Sequence, residues 1–241
     1  MKAAVDLHIH TALSPCASED MTPNNIVNMS VLKGLDVIAI TDHNSSANCE
    51  AVIKCGMKKG IIVVPGMELE TQEEVHLLCL FDNIISCMAF QDIVSSSLPD
   101  IENREDIFGR QTLMDENDRI TDINRQLLLT ATTLSVEEAA QKVANLGGII
   151  IPAHIDRQSH SILSNLGMIP EDVGFTYLEL SRSVCVVDFL RDNPGLSHFQ
   201  FIRSSDAHEL GDILERETFL EIEAKNARSI ISKLCAQHGW R

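Results

Sequence analysis

The sequence predicts an α/β fold built as one domain. Short apolar runs of about five residues recur along the chain, segments with helical start and stop signals separate several of them, and metal-ligating residue types gather where the runs end. With 241 residues and 44% hydrophobic content, the chain is long enough to bury one substantial core. Strands alternating with helices in this way wrap a parallel sheet or a barrel.

In chain order, strands are expected at 3–7, 35–40, 61–64, 75–80, 148–151, 176–180, 199–202 and 218–222, where Val, Ile, Leu and Ala crowd into stretches too short for a helix. The first helix opens at Thr22-Pro23, a capping hydroxyl followed by a proline whose missing N–H would have been unpaired anyway, and it stops at Gly34. A second signal is Ser135-Val136-Glu137-Glu138, a capping box in which serine and glutamate each satisfy a free backbone N–H; this helix runs to Gly147-Gly148. Between 83 and 133 the rhythm breaks, because the stretch is longer and more polar than a strand-to-helix connection. It starts with a helix near 87–96, and Asp115-Glu116-Asn117-Asp118 reads as the turn of a hairpin between 111–114 and 119–121. A lid-like insertion after the fourth strand is expected there, with a disordered excursion as the alternative. No repeat or linker divides the chain, so residues 1–241 are expected to form one domain.

Composition narrows the setting. The formal net charge is −16, from 35 acidic and 19 basic residues, which repels a phosphate backbone, so duplex nucleic acid is not expected as a partner. Aromatics are 4% of the chain, with single Tyr177 and Trp240, which leaves few surfaces for stacking bases. Cys16, Cys49, Cys55, Cys79, Cys87, Cys185 and Cys235 are odd in number and form no C-x-x-C pair; a reducing, cytoplasmic setting fits them better than a disulfide framework. No targeting signal and no apolar run of the ~18 residues needed to span a bilayer is visible, so no membrane association is expected.

Chemistry concentrates at the strand ends. His8 and His10 are two apart on the first strand and therefore project from one face, as two ligands of one ion must. The second strand ends at Thr41-Asp42-His43 and the third at Pro65-Gly66-Met67-Glu68; the fourth carries His76, the fifth ends at Pro152-Ala153-His154, and the seventh at Ser204-Ser205-Asp206-Ala207-His208. Each residue alone has a bland explanation, such as a satisfied histidine or a helix-capping acid. Six of the nine histidines at such ends point instead to one shared site, since strand ends of a barrel converge on its mouth. Imidazoles with carboxylates suit Zn, Mn or Fe. His160, His198 and His238 lack that context and are expected at the surface or in the core.

In order, Asp6-Leu7-His8-Ile9-His10-Thr11, Thr41-Asp42-His43, Pro65-Gly66-Met67-Glu68 with His76, Ala153-His154 and Ser205-Asp206-Ala207-His208 resemble the motifs of the PHP (polymerase and histidinol phosphatase) family. The resemblance implies a distorted (β/α)7-type TIM-like barrel binding two or three divalent ions (Zn, Mn or Fe). It further implies a first ion on His8, His10, Glu68 and Asp206, a second on Glu68, His76 and His154, and a third on His43, His208 and the residue at position 16. Many members have histidine at that last position; here Cys16 is either a soft thiolate ligand or an unligated loop thiol. Asp42 is expected to orient a ligand or a water rather than bind metal, and Asp206 and Asp42 are the candidates for proton transfer. Arg157 and Arg182 follow strand ends and are candidate phosphate-binding groups, or else surface partners of acids such as Asp156 and Glu179.

The expected activity is metal-dependent hydrolysis of a small-molecule phosphomonoester, a nucleotide or histidinol phosphate, by a metal-activated hydroxide. Two alternatives stand beside it. One is hydrolysis of a C–N bond, disfavoured because no lysine that could be carbamylated lies at a strand end; the other is a noncatalytic metal-binding module of a larger assembly, disfavoured because only Cys16 departs from the ligand pattern.

Overall fold

The structure is a computed structural model that describes residues 1–235, so His238 and Trp240 lie outside the described residues. Six strands form one sheet. Strands β1 (Lys2–Ile9), β2 (Val37–Ile40) and β3 (Ile62–Glu70) run parallel, because helices α1 (Pro23–Leu32) and α2 (Cys49–Lys59) return the chain between them. The Thr22 side chain accepts from Asn25 N and Pro23 opens α1, as read from the sequence. Helix α2 was not anticipated.

The expected repeat ends at β3. A short turn brings β4 (His76–Leu80) back antiparallel, and β7 (Ile149–Pro152) is antiparallel to β4 in turn. Residues 65–70 extend β3 beyond the predicted 61–64, and Gly66 allows the close pass, since a Cβ there would lie 2.7 Å from Cys79 O. Strand β10 (Phe219–Glu221) closes the β1 edge antiparallel. Strands β8 (Tyr177–Ser181) and β9 (Gln200–Ser204) form a separate parallel pair. Its two sides reach the main sheet through Ile155 N to Glu179 O at 2.9 Å and through a parallel bridge of Ile9 with Ala207. The result is an α/β fold with a curled sheet rather than seven equal βα units.

Of four apolar clusters among the described residues, the three larger ones hold it. Ala3, Val5, Leu7, Val37, Val64, Leu78, Ile151, Tyr177 and Ile202 fill the concave side, closed from below by Ile230, Ile231 and Leu234 of the last described helix, Ala227–Cys235. On the outside, α1 and α2 pack over Ala4, Ile9, Ile38 and Ile40, while α3 (Ile84–Ser97) and α5 (Val136–Asn145) cover Met67, Leu77 and Ile150. Parity along β1 changes on the way: Ala3, Val5 and Leu7 face inward, yet Ile9 faces outward with Ala4. The pairing register with β2 shifts between Asp6 and Ile9, and this irregularity re-aims the end of the strand, so that His8 and His10 turn toward the concave mouth.

The predicted insertion starts too early at 83. Cys87, Phe90 and Val94 of α3 are core residues, so the true excursion follows this helix. It contains α4 (Glu105–Phe108) and the hairpin β5 (Thr112–Met114) and β6 (Ile120–Ile123), and it rests on the loop after β1: Thr112 N donates to Ala12 O at 2.9 Å, and the Asn48 side chain brackets Thr112 O and Met114 N. No helix among the described residues is long and apolar enough to cross a membrane.

Candidate metal centre

Six of the ligand-type residues singled out in the sequence meet at two carboxylates. His8 and His10 come from the turned end of β1, Glu68 from β3, His76 from the start of β4, His154 from just past β7 and Asp206 from just past β9. His154 and Asp206 have φ of 29° and 52°, a left-handed conformation that costs a non-glycine residue roughly 1 kcal/mol or more. Hydrogen bonds hold the strain. Glu179 Oε2 takes His154 N at 2.9 Å, while Ser205 donates its N to Asp6 Oδ1 and its hydroxyl to His8 O, both at 3.0 Å.

At the centre, His8 Nε2 lies 3.3 Å from Glu68 Oε1 and 3.2 Å from Asp206 Oδ1; His10 Nε2 lies 3.3 Å from Glu68 Oε2 and 3.1 Å from Asp206 Oδ1. The two Nε2 atoms are 3.1 Å apart. His8 Nδ1 faces the Glu179 carboxylate at 3.0 Å and therefore carries the proton of a neutral ring. His10 Nδ1 is 2.9 Å from Ser14 Oγ, whose own proton goes to Asp42 Oδ1 at 2.7 Å, so it too is the protonated nitrogen. Two bare lone pairs and two carboxylates then converge with nothing positive between them, and the buried Glu68 Oε2 has no directed hydrogen-bond donor. This donor set fits a divalent cation. The same convergence draws positive charge to the rings: against the pull of burial, Glu179, Asp206 and Glu68 raise His8 well above the usual imidazole range, and hydrogen bonds to Asp206 and Glu68 raise His10 to about 9.

Two further groupings adjoin the first. His10, His43 and His208 bring ring nitrogens together, and His43 and His76 bring theirs to a Glu68 carboxylate oxygen. Burial, opposed by Glu68 and reinforced by His10, lowers His43 to about 3; burial and His10 lower His208 to about 4, so both rings are neutral and able to ligate. Glu68 Oε1 also sits 2.9 Å from His76 Nδ1 and 3.1 Å from His154 Nε2, the expected second set, although those two nitrogens flank the oxygen rather than forming one of the compact groups. Cys16 is exposed and joins none of these groups among the described residues. Desolvation of the sulfur together with Glu68 pushes its thiol up to about 12, so it is protonated here.

Asp42 cannot reach a substrate. It is fully buried, and its oxygens accept from Thr11 N, Thr11 Oγ1 and Ser14 Oγ at 2.7–2.8 Å, so it acts on His10 through Ser14. Asp206 shares Oδ1 with the two histidines and Oδ2 with Arg157 at 2.7 Å; burial would raise it, but His8 and His10 hold it well below the carboxylate range. In this arrangement it accepts from all three partners. Arg157 lies at the mouth, half exposed, whereas Arg182 is tied to Asp212 at 3.0 Å.

Sequence reasoning missed Ser14, Glu70, the support that Glu179 gives to His8 and His154, and the grouping of Glu70 with His76 and His160. Glu179 carries a readable signal, a carboxylate between Leu178 and Leu180 in a buried strand. Glu70 carries another, lying two residues from Glu68 on the same strand face. His160 was placed at the surface or in the core; it is half exposed and stacks on His76, ring centroids 4.7 Å apart.

A model of the PHP domain matches residues 6–183, while Asp206 and His208 lie beyond the matched part. An uncharacterized protein of Methanocaldococcus jannaschii is 27% identical over 154 residues, 64% of this chain and 16% of that protein. Among solved structures, the lesion-specific endonuclease EndoQ of Pyrococcus furiosus superposes with a TM-score of 0.71 at 21% identity, covering 99% of this chain and 57% of that one. Endonuclease Q in complex with a 27-mer duplex, an abasic lesion at the active site, gives 0.72 at 21% identity, covering 99% and 58%. A Bifidobacterium adolescentis protein assigned as a metal-dependent phosphoesterase gives 0.61 at 17% identity, covering 98% and 97%. The chain therefore spans a small part of its curated relative and just over half of the endonuclease.

These likenesses are of fold, and they overturn one expectation. A small molecule as the only substrate class, with duplex nucleic acid excluded, does not stand, because this fold is found on a duplex in Endonuclease Q. The net charge averages over the whole surface and does not describe the mouth, where the Arg157 side chain is exposed beside Asp206.

Proposed function

The chain belongs to the PHP domain family, and on that premise we propose that it is a metal-dependent phosphoesterase that cuts the phosphodiester backbone of nucleic acid. The observation that carries the hydrolytic reading is the convergence of His8, His10, Glu68 and Asp206, with two lone pairs and two carboxylates facing one point. The substrate class is supported by the closer superposition on EndoQ than on the phosphoesterase. Divalent ions bound there supply a water of lowered pKa and neutralise charge that builds on the phosphate oxygens.

The chain's own residues do the rest. His8, His10, Glu68 and Asp206 would hold a first ion and Glu68, His76 and His154 a second; His43 and His208 would hold a third, together with Cys16 brought inward as a thiolate. Glu179 and Ser14 fix which nitrogen of His8 and His10 is bare. Asp206 Oδ2 steadies the Arg157 guanidinium at the mouth, where it can take two phosphate oxygens in a fork. The excursion after α3 forms part of the rim. Protonation of the leaving oxygen falls to solvent, since neither Asp206 nor Asp42 is placed to donate.

The test is a panel of an abasic duplex, a single-stranded oligonucleotide, a nucleotide monophosphate and an amide, each with Mn or Zn. Cleavage of the oligonucleotides, lost in His8→Ala, is expected. Hydrolysis of the monophosphate or the amide alone would refute the nucleic-acid assignment, and bound metal with no hydrolysis at all would favour a noncatalytic module.

A further inference from the structure

Glu70, His76 and His160 form a trio on the far side of His76 from the centre. Backbone pairing places all three: Glu70 and His76 are direct partners across β3 and β4, and His76 N donates to His160 O at 2.9 Å. That bond holds His160 at φ 53° with its ring stacked on His76. His76 thus has two faces of chemistry, Nδ1 toward Glu68 at 2.9 Å and Nε2 toward Glu70 Oε2 at 4.0 Å. His160 Nδ1 lies 3.6 Å from Glu70 Oε1. Those outer separations exceed a hydrogen bond, yet they suit two donors sharing one cation, which sit at about 2.0–2.2 Å from the ion and so roughly 3–4 Å from each other.

We propose that Glu70, His160 and the outer nitrogen of His76 form an additional divalent-cation site that competes with the inner centre for His76. The inference rests on the reading of His76 as an inner ligand. A neutral imidazole has one lone pair, so His76 serves one side at a time. Filling the outer site withdraws it from Glu68. The half-exposed His160 makes this the weaker and later site, and excess metal becomes an inhibitor.

Cobalt(II) titration followed by visible absorption tests this without reference to turnover. The intact protein gives early phases and then a weaker late phase, which vanishes in His160→Asn and in Glu70→Gln. Asparagine tolerates the left-handed backbone at 160, so a folded variant is expected. In hydrolysis assays, inhibition by excess zinc should need at least about tenfold more metal in either variant, the scale on which loss of a supporting group weakens metal sites. A late phase unchanged in both variants, or absent from the intact protein, overturns the proposal. Early and late cobalt phases in a protein that cleaves no phosphoester would sink the hydrolytic reading and leave the outer site standing.

Discussion

Replacing Glu179 by glutamine removes one charge and no volume from the support of the centre. Glu179 is buried at 1% exposure and accepts from His8 Nδ1 at 3.0 Å and His154 N at 2.9 Å through one oxygen. A glutamine carbonyl in that place keeps both bonds, but turns a charge-assisted bond worth about 1.5–3 kcal/mol into a neutral one worth about 0.5–1.5 kcal/mol. Its amide also points at the His8 N–H, where Glu179 Oε1 now sits at 3.2 Å. The net loss of about 1–2 kcal/mol corresponds to roughly 5- to 30-fold weaker metal binding, since 1.4 kcal/mol is about tenfold. Competition against a chromophoric chelator at neutral pH measures it, with urea unfolding of the metal-free protein as the control for folding. Affinity within twofold of the native protein would refute the reasoning, because His8 would then hold its tautomer without the carboxylate.

Ser14→Ala removes the hydroxyl that donates to Asp42 and receives His10 Nδ1 and His43 N, so about 1–3 kcal/mol of stability should disappear in urea unfolding, with weaker metal binding. Arg157→Ala should raise KM for a phosphoester by about tenfold with metal content unchanged, the worth of a charge-assisted contact, while Arg182→Ala should leave KM alone because that side chain is committed to Asp212. Gly109→Ala would drive a Cβ onto Pro15 O at φ 99°, so hydrogen exchange across the excursion after α3 should speed up while the core helices stay protected. Stripping the metal with a chelator should lower Tm; ions at a thousandfold above Kd contribute about 4 kcal/mol to the folded state.

Much of the site was legible because its ligands obey a simple rule, polar residues where apolar strands end, and the structure brings His8, His10, Glu68, His76, His154 and Asp206 together. The strand positions were legible for the same reason, and so were the caps at Thr22 and Ser135. Strand direction was not, because an apolar run carries no sign of whether its neighbour is parallel, and the β3–β4 return looks in sequence like any loop. Helix α2 escaped because Asn48 makes no side-chain cap and the helix carries Gly56 in its interior. The supporting groups escaped for a different cause: Ser14 acts through Asp42, 28 positions away, Glu179 through His8, 171 positions away, and Glu70 lies across a turn from His76, and local spacing says nothing of such pairs. Whole-chain charge misled about partners because it averages over a surface on which Arg157 occupies one particular place.

The bridge between Ile9 and Ala207 joins the two ends of the chain's chemistry, and it sets an order in time. His8 and His10 leave the ribosome long before Asp206 and His208, and at about 5–20 residues per second the interval is roughly 10–40 s. For that interval the nascent chain carries an unfinished metal clasp whose last carboxylate has not been made. Capture of an ion by the full first set of donors would therefore wait for residue 206, and a chain interrupted before it would lack the group that completes that set.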